Sequence, residues 1–246
     1  MSDIKGFTLV ELAIVMTIIG LLIGGVIKGQ QLMENAKVSA FIKQTSGYEA
    51  ALQGFRDIYN YPPGDFPQAR TRLTNCTAST ACANGDGNYV LGTVGGYDSY
   101  AWAPYPNGIT TENVQFWKHL AAADLIGGVN PAATTVEWGE THPVSRLTGV
   151  FHVKTTMPVP GWNEIQGITI VQRNQINGSW QCGGGRAVGN SCTISPLVAY
   201  TIDRKVDDGV SRTGKIQTMS SNGETGCGRA NAGTQGQNGY DITNRE

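Results

Sequence analysis

Charge is scarce: Lys+Arg number 18 and Asp+Glu 19 among 246 residues, for a formal net charge of −1. The balance is local as well as global, with five basic and five acidic side chains in residues 1–59 and thirteen and fourteen in residues 60–246. No basic stripe is available to follow a nucleic-acid backbone or an anionic lipid surface. Histidine is scarcer still, at three, and the five cysteines form no CxxC pair. A structural zinc site therefore lacks a ligand set. The signatures of common hydrolases and nucleotide enzymes are missing too: no G-x-S-x-G elbow, no H-E-x-x-H and no Walker loop occur. His119, His142 and His152 have no nucleophile or ligand set beside them in sequence and read as structural. Trp102, Trp117, Trp138, Trp162 and Trp180 read mainly as core packing. The expectation is a protein that is not an enzyme.

Glycine, by contrast, is abundant, at 33 of 246 residues, roughly twice the usual ~7%. Only seven lie before residue 60, so the excess predicts a loop-rich, turn-rich body. The cysteines are Cys76, Cys82, Cys182, Cys192 and Cys227. Without metal partners they read as disulfides formed in an oxidising compartment. Short loops favour Cys76–Cys82 and Cys182–Cys192, leaving Cys227 unpaired. Cys192–Cys227 competes with the second pair, because spacing alone does not decide connectivity.

The longest apolar run is residues 7–27, FTLVELAIVMTIIGLLIGGVI, whose single charge is Glu11. As a helix it rises ~31 Å, matching the ~30 Å hydrocarbon core of a bilayer. The run is longer than the apolar core of an ordinary signal peptide, and no small-residue A-x-A site closes it. An ionised carboxylate inside a bilayer costs ~2.5–3.5 kcal/mol on insertion scales, so Glu11 needs a partner. Cleavage between Gly6 and Phe7 creates one: a new α-ammonium four residues before the carboxylate. Glu11 of one subunit then neutralises the Phe7 amine of a neighbour, and such a buried pair sets geometry more than stability.

Gly6-Phe7-Thr8-Leu9-Val10-Glu11 followed by an apolar run closely resembles the prepilin signal of type IV pilins and type II secretion pseudopilins. The resemblance implies cleavage after Gly6 by a prepilin peptidase, N-methylation of Phe7 and an assembly role for Glu11. It implies a bacterial inner-membrane protein with a single pass and a periplasmic body, later built into a pilus or pseudopilus. The implied partners are other pilin or pseudopilin subunits, the prepilin peptidase, and an inner-membrane assembly platform with its ATPase; nothing points to nucleic acid. The rival reading is a membrane-anchored periplasmic binding protein or hydrolase that uses the same signal as an anchor.

Beyond the membrane run, Val38, Phe41, Ile42, Thr45, Tyr48, Leu52, Phe55 and Tyr59 recur every three or four residues, predicting one amphipathic helix that continues to about Tyr59. Pro62-Pro63 ends it. Gly20, Gly24, Gly25 and Gly29 read either as close helix packing or as a weak point. The organisation expected is a leader at 1–6, a transmembrane and assembly helix at 7–28, an amphipathic spine at 29–60 and a globular body at 61–246. Within the body, Thr111 and Glu112 open a helix whose face is Val114, Trp117, Leu120 and Ala121, stopped by Gly127-Gly128. Strands are expected at 150–154, 167–172, 197–202 and 215–219. The fold class is therefore α+β: a long helix packed on an antiparallel sheet of about four strands, with a loop-rich C-terminal region.

Two oxygen-rich stretches are candidates for calcium, which takes six to eight oxygen ligands. Asp203, Asp207 and Asp208 precede a glycine turn; Arg204 and Lys205 could instead neutralise them as a solvated turn. The resemblance keeps the metal in play beside that turn, since some pseudopilins hold calcium in the C-terminal body. Asn84, Asp86 and Asn88 alternate with glycines like the first half of an EF-hand loop, but its closing glutamate is missing, so a plain turn is the preferred reading.

Overall fold

The computed structural model describes residues 8–76, 81–92, 108–156, 167–173, 194–210 and 213–217. Helix α1 runs unbroken from Leu9 to Tyr59, 51 residues, which at 1.5 Å per residue is about 77 Å. Asn60 closes it in the left-handed conformation (φ 60°), its N–H donating to the Arg56 carbonyl, and the buried Pro62 and Pro63 turn the chain away. The expected stripe is the buried one: Val38, Phe41, Tyr48, Leu52 and Phe55 are buried, joined by Ala51. Its first half is bare. Leu9, Leu21 and Leu32 are 87%, 79% and 71% exposed, and this is the helix among the described residues that is long and apolar enough to cross a membrane.

The body gathers around the second half of α1. A short helix α2 (Ala69–Arg72) leads into the Cys76–Cys82 disulfide. Helix α3 (Glu112–Ala122) follows, and all of residues 112–120 are buried. It ends before Gly127-Gly128 because Asp124 takes the left-handed conformation (φ 59°), letting the Leu125 N–H bond back to the Leu120 carbonyl. Strands β1 (Val150–Thr156) and β2 (Gly167–Arg173) form an antiparallel pair, Val150 opposite Arg173 and Thr156 opposite Gly167. Val150, Phe151, His152 and Val153 are all buried, so β1 is covered on both faces. Phe151 packs on Phe41 and Tyr48, and His152 on His142 (ring centres 5.6, 5.3 and 4.6 Å apart).

The sheet is smaller than expected. Two of the four anticipated strands are present; residues 197–202 lie instead in helix α4 (Pro196–Val206), and residues 215–217 are loop. The helix wins because Ser195 caps it, accepting the Val198 N–H at 3.4 Å, with Pro196 in the first turn. Val198 and Ile202, four residues apart, then meet the core on one face. Residues 218–219 lie outside the described residues. The class remains α+β: a long N-terminal helix with a small two-stranded antiparallel sheet.

Candidate functional site

Two places concentrate polar chemistry: the exposed tip of α1 and a buried seam in the body. At the tip, Thr8 is the N-cap and Glu11 the third helical residue. Glu11 N–H donates to Thr8 Oγ1 (3.3 Å), while Thr8 N–H and Oγ1–H both donate to Glu11 Oε2 (2.9 Å each). This is a capping box, in which side chains satisfy amides that the helix start leaves open. Glu11 Oε1 takes no hydrogen bond among the described residues, so half of the carboxylate can still meet a cation. Gly6 and Phe7 lie outside the described residues. Gly20, Gly24, Gly25 and Gly29 leave α1 unbroken, and a Cβ at any of them would meet nothing within 4 Å. Among the described residues of one subunit these glycines pack against nothing.

The seam lies between α3 and the strap formed by residues 81–92. Glu112, Gln115, Lys118 and His119 fall on one side of α3 and are all buried, although polar residues at such spacing usually face water. They are buried because the strap covers them and supplies bare backbone groups. Lys118 Nζ donates to the Ala81 and Ala133 carbonyls. Gln115 accepts from the Ala83 N–H (2.9 Å) and donates to the Ala81 carbonyl (3.2 Å). His119 Nδ1 accepts from the Gly64 N–H (2.9 Å), which places its proton on Nε2, 2.8 Å from the Ala83 carbonyl. Glu112 accepts from the amides of Asp86 and Gly92 (3.1 Å each). Asp65, from the turn after α1, accepts from those of Gly87 (2.6 Å) and Tyr89 (2.5 Å). The disulfide anchors one end of the strap, and Thr155 of β1 accepts the Leu91 N–H (2.7 Å) near the other.

Burial sets the protonation of this seam. It pushes Glu112 up to about 7, helped by the charges of Asp65 and Asp86 and opposed by its two amide donors; Asp65 is raised for the same first reason. Burial also lowers Lys118 to about 8 and His119 to about 4. His142, capped by Thr141 Oγ1 at 2.9 Å from its Nδ1, is likewise pushed down to about 4 by burial. All three histidines are thus core groups.

The sequence-predicted calcium residues are placed as follows. Asn84 accepts from the Arg70 N–H (3.0 Å), Asp86 from Asn88 N and Nδ2 (3.0 and 2.8 Å), and Asn88 from the Val90 N–H (2.7 Å). Asp203, Asp207 and Asp208 come within 4.8 Å of one another. Asp203 and Asp207 accept amides of Gly209 and Ile216 (3.2 and 3.0 Å), and Asp208 accepts from Val210 N and Thr213 Oγ1 (2.8 and 2.6 Å). Those last two bonds hold Asp208 below the ordinary carboxylate range. In both stretches the side chains brace nearby backbone, Asn84 that of α2 and the others that of their own loop. Cys76 and Cys82 are bonded as expected; Cys182, Cys192 and Cys227 lie outside the described residues.

The seam went unread in the sequence. Its signal was Glu112, Gln115, Lys118 and His119 at steps of three and four on the helix that also carries Trp117, together with a glycine-rich stretch offering unpaired amides.

A family model, the prokaryotic N-terminal methylation motif, matches residues 1–27. The chain therefore carries the prepilin-type signal of type IV pilins and pseudopilins. No curated protein and no solved structure matches it.

Proposed function

We propose that this protein is a structural subunit, a pilin, minor pilin or pseudopilin, of a type IV pilus or type II secretion pseudopilus. The observation that carries the reading is the single helix α1, bare and apolar over its first half and packed into a body over its second, beginning in a methylation motif. Exposed apolar surface on this scale requires a bilayer or other subunits to cover it. The bilayer stores the segment; neighbouring copies of α1 replace the lipid when the filament forms.

Glu11 supplies the register. In the single subunit Thr8 holds one carboxylate oxygen, which offsets part of the ~2.5–3.5 kcal/mol cost of a charge at membrane depth. The other oxygen accepts the methylated Phe7 ammonium of a neighbour after a prepilin peptidase cuts behind Gly6. The body stays in the periplasm during storage, and an assembly platform with its ATPase extracts the subunit.

Two measurements test this. Mass spectrometry of the mature protein finds Phe7 as the N-terminus, carrying one added methyl group; any other N-terminus removes the processing step. Glu11→Ala leaves the melting of the body unchanged but abolishes sheared filaments, whereas normal filament yield from that variant removes Glu11 from assembly.

A further inference from the structure

Four hydrogen bonds of the seam meet at residues 81–83. The Ala81 carbonyl accepts from Lys118 Nζ and from Gln115 Nε2 (3.2 Å). The Ala83 N–H donates to Gln115 Oε1 (2.9 Å), and the Ala83 carbonyl accepts from His119 Nε2 (2.8 Å). Three side chains of α3 thus grip the backbone on either side of one residue, Cys82. Cys82 is bonded to Cys76, whose N–H donates to the carbonyl of Leu73 (3.1 Å), the C-cap of α2. Ala69 and Leu73 are buried, so the bond ties the strap to a fixed part of the core.

Lys118 is the most demanding of the gripped groups. It is 0% exposed, and its ammonium donates to the Ala81 and Ala133 carbonyls. It stays charged at pH 7, because burial lowers it only to about 8. A buried ammonium costs far more than a buried amide or imidazole, and the cost is tolerable only while its acceptors hold still. Ala133 is steadied by its own turn, its N–H donating to the Asn130 carbonyl (3.1 Å). Ala81 is steadied through its neighbour Cys82. A strap free at Cys82 would swing that carbonyl away from the charge.

We propose that oxidation of Cys76 and Cys82 is a folding checkpoint for the body: the bond forms before α3 buries Lys118, and the closed strap then seals the bond. Formation runs by exchange with a disulfide-bearing oxidant. One cysteine thiolate attacks the oxidant's disulfide, and the second displaces the oxidant from the mixed disulfide. The oxidant leaves as a dithiol with the two electrons and two protons. The seal shows in the burial of the sulfur residues, Cys76 at 0% and Cys82 at 1% exposed, which denies a later thiolate its approach. The device therefore runs one way, set once and ahead of packing. It concerns the body alone and stands apart from the filament reading.

The rival account is that the disulfide stabilises only by constraining the unfolded chain, an effect blind to residue 118. A double-mutant cycle at pH 7 on the full-length protein in detergent micelles separates the two. Cys76→Ala with Cys82→Ala should lower the melting temperature of the body. Lys118→Met, which keeps an apolar stem and removes the ammonium, should cut that drop to less than about half. A disulfide-free chain that folds only with Lys118→Met is the same result in its extreme form. Equal drops in the two backgrounds overturn the proposal, as does failure of the disulfide-free chain to fold in both. Should Lys118→Met itself fail to fold, amine labelling decides without any change at 118. Acetic anhydride should modify Lys118 at least about tenfold more slowly than the exposed Lys43 in the oxidised parent. In the disulfide-free variant the two should label at similar rates, read by peptide mass spectrometry. Lys118 that stays protected there, or that labels freely in the parent, overturns the proposal.

Discussion

Residues 9–33 and residues 38–59 belong to one helix, yet they differ in what covers their apolar atoms. In the first stretch Leu, Ile, Val and Met side chains face outward on every side. In the second the apolar atoms form one stripe, and aromatic rings close over it: Tyr48 meets Trp117 at 5.1 Å and Phe55 meets Phe66 at 5.9 Å. The lesson is that helix formation and burial are separate problems. The first half is helical without a tertiary partner among the described residues; its length and composition suit a membrane, where backbone groups have no alternative to internal hydrogen bonds. The second half is held by the body, as amphipathic helices in water are.

The largest break in that comparison comes from the packed half. Phe55 is fully buried against Tyr59, Phe66 and the His119 ring. Phe55→Ala should cost about 3–5 kcal/mol, a large part of a typical domain's 5–15. Near-ultraviolet circular dichroism of the detergent-solubilised protein should show lost aromatic packing, while far-ultraviolet helicity from the first half persists. Loss of all helicity would mean that the two halves stand or fall together.

Acid acts on the packed half next. His119 and His142 are lowered to about 4 from 6.5, so the unfolded chain binds their protons first. Stability from this source is full above pH 6.5, declines as pH falls through the histidine range and is gone near pH 4. The shift corresponds to about 3 kcal/mol for each histidine. Glu112 works the other way, its raised pKa making the fold more stable below pH 4.5 than above 7. Thermal melts should therefore peak near pH 6.5, falling toward pH 4 as the histidines protonate and by less toward pH 7 as Glu112 ionises, while above pH 8 the lowered Lys118 adds stability again. His142→Gln should remove part of the acid slope; an unchanged slope would place the loss elsewhere.

The same contrast explains what could be read from the sequence. The membrane run needed only composition, and the stripe from Val38 to Tyr59 needed only its period, since both patterns are set by one helix in one medium. β1 and β2 showed as short β-branched runs between turns. The stretch 197–202 looked equally strand-like, because Val, Tyr, Thr and Ile are strand formers. Its Ser195-Pro196 start was the contrary signal, and it outweighs residue preference. The seam stayed hidden for another reason. Glu112, Gln115, Lys118 and His119 look solvent-facing until a strap twenty or more residues away in sequence is laid over them, and nothing local announces that contact.

A smaller effect follows from the cap. Ser195→Ala removes the acceptor for the Val198 N–H and should lower stability by about 1 kcal/mol. The sequence retains its strand-forming residues, so the variant asks whether the cap alone selects the helix. Hydrogen exchange of Ala199 to Ile202 should quicken modestly, with their helical pattern kept.

The smallest effect belongs to the bare half. Leu21 is 79% exposed, and no described residue covers it. Leu21→Ala should therefore leave the melting of the body within about 0.5 kcal/mol of the parent, whereas a buried leucine would cost about 2–5. Helix propensity works in its favour, since alanine is the better helix former. A drop of 2 kcal/mol or more would mean that the first half folds back on the body and would end the distinction between the halves. The same variant assayed for sheared filaments separates the two media. A side chain that matters nowhere in the monomer but lowers filament yield is one that only neighbouring copies cover.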